Sequence, residues 1–336
     1  MPAKSAAPRT ILLVKTSSLG DVVHNLPVVS DLRSVFPEAV IDWVVEEALV
    51  AIPRLHPAVR RVIPVGLRRW RKSLLTAQAW HEMAAFRREL RAEAYDLVLD
   101  TQGLIKSGLI VRQARLAVDG RRCGYTAEAA REALAARFYD LGFAIPKNLH
   151  AVERNRWLAA AALGYVADMP VDYGIAGNLA GPTTLAWVPA GDYAVLLTAT
   201  SRDDKLWPEQ SWLTMAASLA ERGLTCILPA GSDAERRRAN RLAQAMTRAV
   251  AAPPLEIVDI AGLCAGARLV VGVDTGLSHL AVALERPTLA LFSGSDPRLT
   301  GVYAGEEAQS RARNLGAPST PPAAAEAIAA ALDLLG

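Results

Sequence analysis

Cysteine is scarce in this chain. Only Cys123, Cys226 and Cys264 occur in 336 residues, odd in number, far apart and without a C-x-x-C spacing. That pattern excludes a disulfide framework and a cysteine-built zinc site, and it suits a reducing cytosol. Long hydrophobic runs are also missing. The first, Ile11 to Val14, is too short for the core of a signal peptide. None approaches the roughly 18 apolar residues that a membrane span requires. The expectation is a soluble, cytoplasmic protein whose membrane contact, if it has one, is peripheral. No repeat of fixed period is present. No nucleic-acid motif accompanies the basic residues, so nucleic acid is not an expected partner. No clustered D-x-D pair offers itself to a metal, and no metal or other cofactor is expected. No oligomeric state follows from these features.

What is present is enough chain for two domains. At 51% hydrophobic residues there is also enough apolar side chain for large cores. The net charge of +3 is unevenly spread. Residues 1–168 hold 24 Lys and Arg against 17 Asp and Glu, whereas residues 169–336 hold 13 against 17. A basic first half suits an anionic partner, such as a phosphorylated glycan or an acidic membrane surface.

Short apolar runs alternate with amphipathic stretches. Strands are expected at Ile11–Lys15, Ala39–Val45, Arg61–Val65 and Tyr95–Leu99, with helices at Val22–Val35, Leu74–Arg91 and His150–Leu163. From about Met169 to Gly191 the rhythm is lost in a Gly-, Pro- and Thr-rich stretch. It restarts with strands at Tyr193–Leu197, Leu224–Leu228, Leu269–Val273 and Thr288–Phe292. Helices are expected between them at Pro208–Arg222, Ala234–Met246 and Gly276–Leu284. The reading is an α/β chain of two Rossmann-like, doubly wound domains, residues 1–170 and 192–320. A linker at 171–191 joins them and a C-terminal helix at 321–336 closes the chain. In such sheets ligands sit beyond the carboxyl ends of the strands, so the residues just after each strand matter most.

Five constellations lie at such places or stand out by charge. Lys15-Thr16-Ser17-Ser18-Leu19-Gly20-Asp21 follows the first strand. Gly20 there permits a tight turn, and Asp21 is either a helix N-cap or a carboxylate base for a hydroxyl proton. Val273-Asp274-Thr275-Gly276-Leu277-Ser278-His279 leads a buried strand onto a helix N-terminus. There the N–H groups and the helix dipole favour an anion such as a pyrophosphate. Gly276 allows close approach, and His279 is either a donor to phosphate or sugar or a solvated first-turn side chain. Thr200-Ser201-Arg202-Asp203-Asp204-Lys205 is either a solvated charged loop or a cation placed to meet a departing phosphate. Asp203 and Asp204, being adjacent, are expected on opposite sides of an extended chain. Glu235, after Gly231-Ser232-Asp233, is either a first-turn helix acid or a ribose ligand. Arg68-Arg69-Trp70-Arg71-Lys72 gathers four cations about an indole and suits phosphate, carboxylate or a membrane interface.

Taken in order, KTSSLGDVVHNLP, DWVVEE, RRWRK, DTQGLIKS, HAVER, RDDKLWPE and VDTGLSHL resemble the ADP-heptose transferases of glycosyltransferase family 9 from about Ile11 to Gly301. KTSSLGD with RRWRK is similar to the branch that adds the first heptose of the lipopolysaccharide inner core. The resemblance implies a GT-B architecture, two Rossmann-like domains facing across a cleft. It implies inverting transfer of L-glycero-D-manno-heptose from ADP-heptose to Kdo of Kdo₂-lipid A, with peripheral contact at the cytoplasmic leaflet of the inner membrane. It implies Asp21 as general base and Lys205 as the cation facing the leaving phosphate. Thr200, Ser201, Glu235, Asp274, Thr275, Gly276 and His279 would hold the donor. Lys15, Ser18, Arg68, Arg69, Arg71, Lys72, Gln102, Lys106 and Arg131 would hold the acceptor. Two departures stand out. Thr198-Ala199-Thr200-Ser201 occupies the place where relatives often carry His-Ala-Thr-Thr, and Ser293-Gly294-Ser295-Asp296-Pro297 replaces a usual G-P-T-D-P. The alternatives are another family member adding a second heptose, a nucleotide-sugar epimerase or hydrolase on the same fold, and a non-enzymatic module for anionic lipid or glycan.

Overall fold

A computed structural model describes residues 7–179, 186–200, 202–305 and 310–336. The chain divides into two compact units, Met1–Gly174 and Ile175–Gly336. Each is built on a wholly parallel six-stranded sheet.

In the first unit the strands are β1 (Thr10–Val14), β2 (Val40–Glu46), β3 (Val59–Val65), β4 (Tyr95–Asp100), β5 (Leu116–Tyr125) and β6 (Leu141–Phe143). Their order across the sheet is β3-β2-β1-β4-β5-β6. The intervening helices are α1 (Leu19–Val23), α2 (Leu26–Val35), α3 (Ala51–Arg54), α4 (Leu67–Trp70), α5 (Ala77–Leu90), α6 (Ile105–Gln113) and α7 (Ala151–Leu163). Strands β1 and β4 are buried on both faces, which is why they read as unbroken apolar runs rather than alternating ones. Leu12, Val14, Val44, Ile63 and Val98 from the sheet pack against Phe86 and Leu90 of α5 and Ile110 and Val111 of α6.

The second unit holds β7 (Tyr193–Leu197), β8 (Thr225–Leu228), β9 (Ala249–Ala251), β10 (Leu269–Val273), β11 (Thr288–Phe292) and β12 (Ala312–Gly316), in the order β12-β11-β10-β7-β8-β9. Its helices are α8 (Glu209–Glu221), α9 (Asp233–Ala245), α10 (Ile257–Ala265), α11 (Gly276–Ala283), α12 (Pro297–Thr300) and α13 (Ala324–Leu335). Trp207 and Trp212 meet edge to face at 5.1 Å inside a core with Leu196, Leu228, Val271, Leu291 and Ala331. The Trp207 indole donates to Pro322 O at 2.9 Å, which ties the tail of the chain to this unit.

Both orders are the doubly wound Rossmann arrangement, with the direction of winding reversing between β1 and β4 in one unit and between β7 and β10 in the other. Loops leaving those paired strands part from each other and open a crevice at their carboxyl ends. The residues after β1, β4, β7 and β10 are therefore the ones each sheet presents to a ligand.

Three local expectations change. The helix expected over Val22–Val35 is two helices, α1 and α2, with Pro27 at the start of α2, where a missing N–H is no loss. Gly20 is not a turn residue but the second residue of α1. Asp203 and Asp204 sit in a 3₁₀ turn, not an extended chain. The three cysteines are free and buried, and burial pushes each thiol up to about 12. Among the described residues no helix is long and apolar enough to cross a membrane.

Candidate active site

At the carboxyl end of β1 the chain turns into α1 over Lys15–Ser18. Ser18, not Asp21, is the N-cap, and Asp21 stands at the third helical position. Its Oδ2 accepts the Ser18 backbone N–H at 2.9 Å and the Ser18 hydroxyl at 3.0 Å. Its Oδ1 accepts Arg131 Nη2 at 2.6 Å. Gly103, after β4, has φ +68°, and a Cβ there would lie 3.1 Å from the Tyr125 ring and 3.4 Å from Arg131 N. A glycine thus lets the Arg131 loop settle close enough for its guanidinium to reach Asp21.

Gln102 clamps this loop. Its Oε1 accepts Thr16 N–H at 2.7 Å, the Thr16 hydroxyl at 3.0 Å and Ser17 N–H at 3.3 Å, while its Nε2 donates to Ser17 O. Gln102 is itself oriented by Asp100, which accepts its N–H at 2.8 Å. Lys15 is only 3% exposed, and its Nζ donates to Thr101 O at 2.8 Å and Asn155 Oδ1 at 3.3 Å. Lys15 and Gln102, expected as acceptor contacts, are both turned inward, Lys15 onto Thr101 and Asn155 and Gln102 onto the Thr16–Ser17 backbone. Lys106 donates to Ser17 Oγ at 2.9 Å.

Asp21 sits among the charges of Lys15 and Arg131, while Asp100 also acts on Lys15, and Glu46 and Glu132 act on Lys106. Burial lowers the Lys15 pKa to about 8, partly offset by Asp21 and reinforced by Arg131 and Arg154. Burial alone would raise the Asp21 carboxyl. The Lys15 and Arg131 charges and the Ser18 hydrogen bond outweigh it and hold the carboxyl below its ordinary value. Burial also depresses Lys106.

The RRWRK patch is less open than its sequence suggests. Arg69 is bound by Glu47, at 2.9 and 3.0 Å, and by Glu82. Trp70 is buried and donates its indole N–H to Glu82 at 2.8 Å. Arg68, Arg71 and Lys72 remain exposed. The Arg68 backbone N–H bonds Glu46 Oε1 at 2.9 Å, which anchors α4 to the end of β2. Glu46, buried and with Oε2 unpartnered, was not expected as a site residue, although it lies in the DWVVEE motif.

In the second unit the strand-end residues also converge. Lys205 Nζ lies 2.6 Å from Asp274 Oδ2, which also accepts the Ser295 hydroxyl. Thr200 Oγ1 donates to Asp274 O at 2.9 Å, and Ser293 Oγ donates to Asp204 O at 2.8 Å. Loops after β7, β10 and β11 are thus stitched together, the last by the two serines of the divergent Ser293–Pro297 stretch. Thr275 is the N-cap of α11, with Gly276 at its first position, and the first-turn N–H groups of a helix lack an intrahelical acceptor. Ser278 turns its hydroxyl back to Val273 O at 2.9 Å. His279 is buried, not solvated. Glu235 uses Oε2 in a capping box with Ser232 N–H at 2.8 Å and also accepts Gly231 N–H at 3.0 Å. Ser201 lies outside the described residues. Among the described residues no group of three or more His, Cys, Asp or Glu side chains could hold a metal ion.

The family model described as glycosyltransferase family 9 (heptosyltransferase) matches residues 83–321. The chain is 46% identical over 294 residues to lipopolysaccharide heptosyltransferase 1 of Escherichia coli strain K12, covering 87% of this chain and 90% of that protein. The structure of E. coli heptosyltransferase WaaC with ADP matches at a TM-score of 0.85 and 42% identity, covering 95% of this chain and 97% of that one. WaaC with ADP-2-deoxy-2-fluoro heptose matches at 0.82 and 41% identity, covering 96% and 97%.

Proposed function

The chain belongs to glycosyltransferase family 9, the heptosyltransferases, and from that premise we propose that it attaches L-glycero-D-manno-heptose from ADP-heptose to a Kdo hydroxyl of Kdo₂-lipid A, with inversion at the anomeric carbon. It is a glycosyltransferase of lipopolysaccharide core synthesis. The observation that carries the mechanistic reading is the Asp21 carboxylate, kept ionised at the end of β1 and surrounded by Lys15, Arg131 and Lys106.

In this reading the acceptor brings its own negative charge to the first unit. Its carboxylate draws the exposed Arg131 guanidinium away from Asp21 Oδ1, which lets the Asp21 pKa rise toward its ordinary value as the hydroxyl arrives. Arg68, Arg71 and Lys72 receive the remaining anionic groups. The acceptor oxygen forms a bond to the anomeric carbon, the bond from that carbon to the ADP phosphate breaks, and the hydroxyl proton passes to Asp21. Such proton transfer typically supplies about 10²–10⁴ in rate. The sugar passes through an oxocarbenium-like state while charge grows on the departing diphosphate.

That charge is received in the second unit. Thr275 and Gly276 offer backbone N–H groups, and Asp274 and Ser295 hold Lys205 beside them. A diphosphate competes with Asp274 for the Lys205 ammonium. Thr200 and Ser201 bind phosphate, His279 contacts phosphate or sugar, and Glu235 holds the ribose hydroxyls with the oxygen not used in its capping box. No step is assigned to a metal. The protein works in the cytoplasm at the inner-membrane surface, where a lipid-borne acceptor is found, and the basic first half favours that location.

The test follows ADP release from ADP-heptose in EDTA, with and without Kdo₂-lipid A. Acceptor-dependent release with a heptosylated lipid is expected. Release without acceptor would replace the reading with a donor hydrolase.

A further inference from the structure

Leu74, Leu75 and Trp80, in and just after the segment joining α4 to α5, have no part in the chemistry above, yet they form an unusual surface. Leu75 is 101% exposed, Trp80 63% and Leu74 49%. A single exposed leucine is ordinary, but three large apolar side chains in one short segment are a patch that calls for a partner. The segment is not a loosely drawn loop. Thr76 caps α5 by accepting Ala79 N–H at 3.2 Å, and its hydroxyl donates to Ser73 O at 2.8 Å. At its other end the Arg69–Glu47 pair fixes α4.

Cations outnumber carboxylates around the patch, although Glu47 and Glu82 pair with Arg69 at its α4 end. Arg71 and Lys72 are exposed immediately before the leucines. At about 100° per residue, the exposed Arg87 falls within about 20° of Trp80 on α5, whereas Glu82 and Glu89 fall on the side opposite Trp80. Glu82 is moreover held by Trp70 and Arg69. The buried side, with Ala79, Phe86 and Leu90, packs on the sheet. An apolar tip fringed by cations matches an anionic phospholipid surface. A second copy of this chain fits poorly, because a two-fold pairing would set the same cations against each other.

We propose that this surface docks the protein on the bilayer. Leu74 and Leu75 enter the acyl boundary, Trp80 lies at headgroup level and Arg87 meets lipid phosphates, while Arg71 and Lys72 meet the anionic groups of the lipid-borne acceptor. The proposal deepens the reading of a lipid-borne acceptor and rests on it for its purpose. Because α4 is bonded directly to Glu46 at the end of β2, a bilayer docked here lies beside the strand ends of the same unit.

The experiment is co-sedimentation of the full chain with phosphatidylcholine vesicles, with or without roughly a third phosphatidylglycerol. The wild type is expected to bind the anionic vesicles and to release at high salt. The Leu74→Ser, Leu75→Ser, Trp80→Ser triple variant should bind about tenfold less. Transfer to a deacylated, water-soluble acceptor should be unchanged in that variant. Matched thermal unfolding confirms that the exposed substitutions leave the fold alone. Wild type remaining in the supernatant, equal binding to neutral vesicles, undiminished binding by the variant, or a dimer dissolved by the same substitutions would each overturn the proposal. Failure of soluble-acceptor transfer in the wild type would instead sink the functional reading, and the vesicle result would still decide the docking surface.

Discussion

Asp21 divides its carboxylate between a near and a far partner: Oδ2 takes Ser18 at 2.9 and 3.0 Å, and Oδ1 takes Arg131 at 2.6 Å from 110 residues further along the chain. The near contacts belong to the helix start and set the aim of the side chain. The far one is an ion pair whose arginine is 44% exposed, so it is free to exchange partners when an anion binds.

Arg131→Gln removes one of the charges that lower the Asp21 pKa. The acid limb of the kcat/KM profile, which reports the free enzyme, is therefore expected to move to higher pH, with an increased KM for the anionic acceptor. Steady-state kinetics from acid to neutral pH measure both. An acid limb that stays where the wild type has it would mean that Arg131 does not tune Asp21.

Lys205 and Asp274 form a partly buried pair, so their substitutions should not add. Lys205→Ala is expected to cost about 10²–10³ in kcat, the usual scale for losing a group that meets developing charge. Adding Asp274→Ala should cost less in that background than in the wild type, since the two act as a unit. Strictly additive losses in the double-variant cycle would separate their roles.

Lys15 loses its proton near pH 8. Above that pH the site loses one cation, so kcat/KM for the anionic acceptor should decline as pH passes about 8. Stability moves the other way. The folded pKa lies below the unfolded value, so the unfolded chain binds more protons between the two. Wild type should therefore gain stability relative to Lys15→Met as pH rises from 8 toward 10. Urea unfolding of the two proteins across that window, and acceptor kinetics alongside, test both signs.

His56 gives the acid counterpart. Burial lowers its pKa to about 4, and its Nδ1 accepts Ala58 N–H at 3.2 Å, which fits a neutral ring. Its contribution is present above pH 6.5 and is lost as pH falls toward 4, by roughly 3 kcal/mol in full. The raised carboxyls of Asp31 and Asp100 act in the opposite sense, so the difference between wild type and His56→Gln is the informative quantity. That difference should shrink on acidification, and a constant difference would contradict it.

The central strands were legible because buried parallel strands are continuous apolar runs, as LLV in β1 and LVVGV in β10 show. Strands β5, β6, β9 and β12 were not, although the edge strand β3 was. Strand β5 reads LAVDGRRCGY and is largely half-exposed, with no run to mark it, and β6 and β9 have three residues each. Helices α6 and α10 likewise escaped the sequence reading. The motifs placed Asp21, Lys205 and Asp274 near strand ends, but pairings across the fold cannot be read from neighbours in sequence. Nothing in RRWRK announces that Arg69 is bound by Glu47 and Glu82, or that Lys15 is bound inward to Thr101 and Asn155. Ser295 was seen only as a departure from a pattern, yet its hydroxyl meets Asp274.

The most direct test of the account is Asp21→Asn, which preserves the shape of the side chain and removes its basicity. Single-turnover heptose transfer to Kdo₂-lipid A should fall by about 10²–10⁴ while the Kd for ADP-heptose stays within about twofold. Transfer at close to the wild-type rate would contradict the assignment of Asp21 as the base.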